Sequence, residues 1–114
     1  MIFIVMKIVI KEDKRDRLAK QLLTEEFSGI YQDVNYQTDS MGEQMVIYYR
    51  NGDGNIMIYG DKAKTLYICE DVTRPIRMLS YTPKQVRDVV GEWFSEFFEL
   101  PVDIVHHVNK EVLN

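Results

Sequence analysis

The sequence predicts a single α+β domain in which an antiparallel meander packs on an amphipathic helix. Three observations predict this class. Hydrophobic residues alternate with polar ones over the middle of the 114-residue chain, a strong helix start follows, and no linker or internal repeat divides the sequence. This length suits one hydrophobic core. The expected order is β-α-β-β-β-β-α over residues 1–114, with an uncertain C-terminal element.

The first two elements are predicted from the N-terminal part of the chain. Ile2–Ile10 is apolar at both alternating sets of positions, which is typical of a strand covered on both faces. Lys11–Phe27 then shows helical spacing, because apolar residues recur every four positions and lysine and arginine occupy the other face. Gly29 is a natural helix stop.

Four strands are predicted between Ile30 and Asp71, where the hydrophobic period becomes two. The segment Asn51-Gly52-Asp53-Gly54 contains two dipeptides that favour tight hairpin turns. The returning strand covers Asn55–Gly60, and a short turn leads into Thr65–Asp71. We therefore expect an antiparallel meander.

The second helix has the clearest local signal in the chain. Thr82 is placed to cap it, Pro83 is preorganised for the first helical position, and Gln85 completes a capping box. Three- and four-residue apolar spacing then predicts a helix over Pro83–Glu99, ended by Pro101. Val102–Asn114 fits either a short helix or a strand, and the start signal at its N-terminus favours the helix.

The chemistry-bearing residues predict no enzyme, no metal site and no cofactor. Cys69 falls on a predicted strand, where a buried structural cysteine is the favoured interpretation, and the adjacent His106 and His107 point apart in either helix or strand. Neither a zinc motif nor a phosphate-binding loop occurs. The Asn51-x-Asp53-x-Asn55 pattern lacks the glycine and glutamate of a calcium loop.

One face of the meander is more aromatic than a solvated face should be. The helix-packed side is expected to carry Met45, Ile47, Tyr49, Ile56, Ile58, Leu66 and Ile68. Alternation then assigns the opposite side to Val46, Tyr48, Met57, Tyr59, Tyr67 and Cys69. Tyrosine and methionine are enriched at interfaces, so Tyr48, Met57, Tyr59 and Tyr67 are predicted to bind another protein, including a second copy in a homodimer. The alternative is that Ile2–Ile10 or the C-terminal segment covers this face.

Charge is distributed unevenly along the chain, whose net charge is −4. An acidic ridge on the long helix is the second predicted partner surface, formed by Asp88, Glu92, Glu96 and Glu99. It would suit a basic, nucleic-acid-binding site on another protein, although most such stripes are simply solvated. A small basic cluster precedes it, formed by Arg74, Arg77, Lys84 and Arg87. The acidic total argues against nucleic-acid binding.

In size, acidity, aromatic content and lack of a catalytic motif, the chain is similar to small accessory proteins and inhibitors of phages and mobile elements. This is a similarity of type and assigns no role to any residue. The expected function is a non-catalytic protein-binding module, an inhibitor of a host factor such as a nucleic-acid-binding enzyme. Alternatives are a small enzyme or ligand-binding protein with a pocket between sheet and helix, and a weak nucleic-acid binder. The single cysteine and the short first apolar run predict a cytoplasmic protein outside membranes.

Overall fold

The computed structural model describes residues 2–39, 42–51 and 54–113, with side chains described from Lys14 onward except that of residue 39. It contains five strands in one sheet together with helices, so the α+β class is confirmed. The elements are α1 (Ile2–Glu26), β1 (Tyr31–Asp39), β2 (Gly42–Asn51), β3 (Gly54–Gly60), β4 (Thr65–Cys69), α2 (Glu70–Arg77), α3 (Pro83–Phe98), β5 (Ile104–Val108) and α4 (Lys110–Leu113).

The strands lie in the order β1-β2-β3-β4-β5. The first four pair antiparallel with their sequence neighbours, so the predicted meander is confirmed. The predicted hairpin is also present, since β2 and β3 pair as far as Asn51 and Gly54. β5 adds to β4 in parallel. Parallel neighbours need a crossover connection, which α2 and α3 provide.

The prediction of a strand over Ile2–Ile10 is wrong, because these residues form the first part of α1. A short apolar run does not distinguish a strand from a helix by its periodicity. No glycine or proline separates this run from the helical segment that follows it. Extending an existing helix adds one hydrogen bond for each residue fixed, which outweighs the small helix penalty of isoleucine and valine.

The α3 helix is confirmed with its predicted start. The Thr82 side chain accepts a hydrogen bond from the Gln85 backbone, and the Gln85 side chain accepts one from the Thr82 backbone. The helix ends at Phe98, because Glu99 adopts a left-handed conformation with φ of 57°. Its apolar stripe packs on the sheet and on α1.

The α2 helix was not predicted, since Pro75 falls inside it and reads as a helix breaker. A weak signal was nevertheless present. Glu70 and Asp71 lie in its first turn and Arg74 and Arg77 in its last, which is the arrangement that the helix dipole favours.

The helical preference for Val102–Asn114 is wrong for most of the segment, because β5 occupies its centre and only α4 is helical. The β-branched Ile104, Val105 and Val108 suit a strand, and the unpaired edge of β4 supplies its partner. The neighbouring edge, which local sequence does not reveal, decides the structure here.

The core lies between the sheet and the helices α1, α2 and α3. Trp93 is at its centre, with its ring 5.0 Å from that of Phe27 in the segment after α1. The connection before α3 is tied to α1 by Tyr81, whose hydroxyl donates to Asp16 at 2.5 Å. Burial, reinforced by this hydrogen bond, raises the pKa of Tyr81 to about 12. In the described part of the chain, no helix has the length and hydropathy needed to cross a membrane.

Candidate functional site

A β-bulge in the β2–β3 hairpin decides which side chains reach each face of the sheet. Next to the turn, Arg50 pairs with Asn55, but one step further Tyr49 pairs with Met57. Ile56 is therefore an extra residue in β3. One inserted residue places every side chain beyond it on the opposite face of the sheet, because strand side chains alternate with period two.

The reversal moves two predicted partner-binding residues into the core. Met57 and Tyr59 are both 0% exposed. The Tyr59 ring lies 5.1 Å from that of Phe94 on α3, and its hydroxyl donates to the Pro101 carbonyl at 2.6 Å. The prediction that Met57 and Tyr59 lie on the outer face is therefore wrong, and so is the expected helix-side position of Ile58.

The outer face instead carries a continuous row of four side chains, one from each of four neighbouring strands. The ladder pairs Tyr48 with Ile58, Ile58 with Tyr67, and Tyr67 with His106. We call Tyr48, Ile58, Tyr67 and His106 the outer row. It spans roughly 14 Å across the sheet. Tyr67 is 40% exposed, His106 is exposed, and Tyr48 and Ile58 are half-buried.

The two ends of the outer row differ in chemistry. At one end the rings of Tyr67 and His106 stack, with centroids 5.2 Å apart. At the other end the Tyr48 hydroxyl accepts a hydrogen bond from Gln37, and the guanidinium of Arg50 lies 5.8 Å from the Tyr48 ring centroid. The row thus combines a flat apolar surface with polar groups at its margins, an arrangement suited to contact with another macromolecule.

Cys69 and the two histidines lie on neighbouring strands, where Cys69 pairs with Val108 and His106 pairs with Tyr67. Cys69 is 3% exposed, as the interpretation of a buried cysteine requires. His106 belongs to the outer row, whereas His107 pairs with Ile68 on the helix side, so the prediction that they point apart is confirmed. Among the described residues, no group of three or more potential metal ligands comes together.

His107 lies in an unfavourable place for a positive charge. Burial lowers its pKa below the usual 6.5, and the nearby Arg77 and Arg87 lower it further, with Glu70 partly opposing them. Its Nε2 atom is buried and has no hydrogen-bond partner among the described residues. The site therefore favours the neutral imidazole.

The acidic ridge is partly neutralised by two lysines. Lys20 of α1 bridges Glu92 and Glu96, at 2.7 Å and 3.0 Å. Burial lowers the pKa of Lys20, but its hydrogen bonds to both glutamates outweigh this effect and raise the pKa above 10.5. Asp88 is paired with Lys84 at 2.8 Å, and Glu99 lies beyond the helix as its C-cap. The ridge presents less negative charge than its sequence indicates.

The predicted basic cluster is likewise engaged in local contacts. Arg74 pairs with Asp71 at 2.8 Å, and Arg77 donates to the Glu70 carbonyl at 2.9 Å. Two members of the cluster, Lys84 and Arg87, line a groove of about 400 Å³ between α3 and β5. Asp103 is among the other residues that line it. Both acidic and basic groups line this groove, and neither histidine nor Cys69 does.

The chain matches no protein-family model, and the searches of curated proteins and of solved structures gave no match either.

Proposed function

We propose that this protein is a non-catalytic protein-binding module whose contact surface is the outer row. The supporting observation is the row itself, in which two tyrosines, an isoleucine and a histidine lie side by side across four strands and remain partly exposed. A sheet face that is open to water usually alternates to polar residues.

Tyrosine is well suited to such a contact. It supplies a large apolar ring with a polar end and loses little conformational entropy when it is fixed. Residues of this kind dominate the binding energy of protein interfaces when neighbouring contacts exclude water from them. The paired sheet holds Tyr48 and Tyr67 before any partner arrives, which lowers the cost of ordering them.

The proposal has three narrower parts. The protein is a homodimer, it acts in the cytoplasm, and it inhibits a host factor such as a nucleic-acid-binding enzyme, in the manner of phage accessory proteins. The single, buried Cys69 supports a reducing compartment. Inhibition by charge mimicry depends on the acidic ridge, whose pairing with Lys20 and Lys84 weakens that part.

Quantitative affinity capture from an extract of the source cell tests the proposal. The baits are the wild-type protein, the double variant Tyr48→Ser plus Tyr67→Ser, and the control Met78→Ser, which alters an exposed residue after α2. We expect a protein that wild type and control capture equally and that the double variant loses. Equal capture by all three baits overturns the outer-row proposal. Intact capture by Glu92→Gln plus Glu96→Gln overturns the charge-mimicry part alone.

A further inference from the structure

The β1 strand forms one edge of the sheet and lacks the lysine, proline and bulge that commonly block edge pairing, although it carries Asp33 and Asp39. It is nine residues long, whereas strands typically have about five or six. Natural edge strands are commonly protected by lysine, proline or a bulge. β1 contains no lysine, arginine or proline, and its register with β2 is regular from Tyr31 to Asp39.

The side chains of β1 carry apolar surface to this open edge. Val34 is 45% exposed and Tyr36 is 69% exposed. Both lie on the helix side of the sheet, since they pair with Ile47 and Met45 of β2. An apolar strip therefore reaches the edge of the sheet and stops there.

We propose that β1 pairs antiparallel with β1 of a second copy, around a two-fold axis that passes through Asn35. This register places Val34 opposite the partner's Tyr36, and Tyr36 opposite the partner's Val34. Ile47 and Val34 then lie in line with the partner's Tyr36 and the partner's Met45, so each apolar strip continues across the junction. If the axis passed through Val34, the two copies of Val34 would face each other and Tyr36 would face a glutamine. If it passed through Tyr36, the two copies of Tyr36 would face each other and Val34 would face a threonine. The strand is thus self-complementary in one register.

Charges are mostly separated in this arrangement, except that Asp33 lies diagonal to the partner's Asp39, about 7–8 Å away on the neighbouring strand. Asp33 lies opposite the partner's Gln37, so the two Asp33 carboxylates are separated by about 14 Å along the strands. This exceeds the screening length of about 8 Å at physiological ionic strength. Each Asp33 carboxylate also lies 3.6 Å from the guanidinium of its own Arg50.

This inference deepens the homodimer part of the proposed function and does not use the outer row as its interface. The axis is perpendicular to the sheet, so the ten-stranded sheet carries both outer rows on the same face. Nine residues from each copy is fewer than the 20–30 of a standard interface. The dimer is therefore expected to dissociate on dilution.

Sedimentation equilibrium over a dilution series tests the interface. Wild type is expected to move from twice the 13.5 kDa chain mass towards the monomer mass as it is diluted. Tyr36→Lys, which puts a charge in the apolar strip, should remain monomeric, whereas Met78→Lys should behave as wild type. Circular dichroism shows whether each variant is folded. A wild-type protein that is monomeric up to millimolar concentration overturns the inference, as does an undiminished Tyr36→Lys dimer.

Disulfide trapping tests the register. Residues on the two-fold axis lie about 4.5–5.5 Å apart between Cα atoms, within the range of a disulfide. Oxidised Asn35→Cys should therefore form a covalent dimer, whereas the two copies of Tyr31→Cys are about 27 Å apart and should not. Wild type, whose Cys69 is buried, is the control for background. Cross-linking of Tyr31→Cys alone overturns the register. A wild-type protein that forms no dimer but still captures its partner through the outer row contradicts this inference and leaves the outer-row proposal standing.

Discussion

Tyr67 and His106 stack face to face on the outer side of the sheet although both α2 and α3 lie between them in the sequence. The parallel pairing of β4 with β5 brings them into the same row, with the two ring planes 23° from parallel. One end of the outer row therefore exists only when the C-terminal strand is docked.

The bulge at Ile56 predicts opposite outcomes for two tyrosines. Tyr59→Ala removes a fully buried ring and should lower the free energy of unfolding by about 3–5 kcal/mol, as large aromatic deletions do. Tyr67→Ala removes a ring that is 40% exposed and should cost roughly 1 kcal/mol. Urea denaturation measures both. Equal losses would mean that the two tyrosines share a face.

Removing the hydroxyl of Tyr59 and removing that of Tyr49 should change the stability of the protein in opposite directions. The Tyr59 hydroxyl bonds to Pro101, so Tyr59→Phe should destabilise the protein by about 1 kcal/mol. The Tyr49 hydroxyl has no partner among the described residues, and burial raises its pKa well above the usual 10. Tyr49→Phe should therefore raise the stability by about 1 kcal/mol, because it removes an uncompensated polar group. Thermal unfolding of both variants under one set of conditions makes the comparison, and a loss of stability in Tyr49→Phe contradicts it.

His107 should make stability fall as the solution is acidified. The pKa of His107 is lowered on folding, first by burial and then by Arg77 and Arg87. Below about pH 6.5 the unfolded chain therefore binds more protons than the folded chain. The stabilisation is complete above that pH and is lost as the pH falls through the lowered pKa.

Urea midpoints measured between about pH 8 and pH 5 isolate this effect, because most carboxylates titrate at lower pH. His107→Gln should flatten the profile in this window. Met78→Gln, at an exposed control position, should keep the wild-type slope. A His107→Gln profile parallel to that of wild type would show that another group titrates there.

The bridge from Lys20 should contribute modestly to stability. Lys20→Met keeps the aliphatic stem and removes the charge from Glu92 and Glu96. Both glutamates are 59% exposed, so solvent screening limits the loss to about 0.5–1 kcal/mol. Lys84→Met breaks the more exposed pair with Asp88 and should cost less than about 0.5 kcal/mol. High salt should reduce both losses in chemical denaturation. A larger loss of stability in Lys84→Met than in Lys20→Met would contradict this prediction.

Local signals in the sequence were sufficient for elements that carry their own start and stop. The capping box of Thr82 and Gln85 predicted α3, and the glycine-containing turn after Asn51 predicted the β2–β3 hairpin. The first part of α1 and all of β5 were not predictable in this way. One depends on continuity with the following helix, and the other on a free edge of β4.

The candidate site was predicted in part, for a reason that lies in one residue. Tyr48 and Tyr67 were correctly assigned to the outer face. Met57 and Tyr59 were not, because the single extra residue at Ile56 reverses the strand beyond it. The sequence at the hairpin allows both a regular ladder and a bulged one. In the bulged ladder Tyr59 joins Tyr49 on the core side, where both rings pack against Phe94.

Site-specific photo-cross-linking tests the role of the outer row most directly. A photoreactive phenylalanine analogue is placed at Tyr67, at Glu96 on the acidic ridge, or at the exposed control position Met78, and each protein is irradiated in extract of the source cell. We expect a covalent adduct with one other protein from position 67 and none from position 78. Adducts from position 96 or 78 without any from position 67 would contradict this expectation.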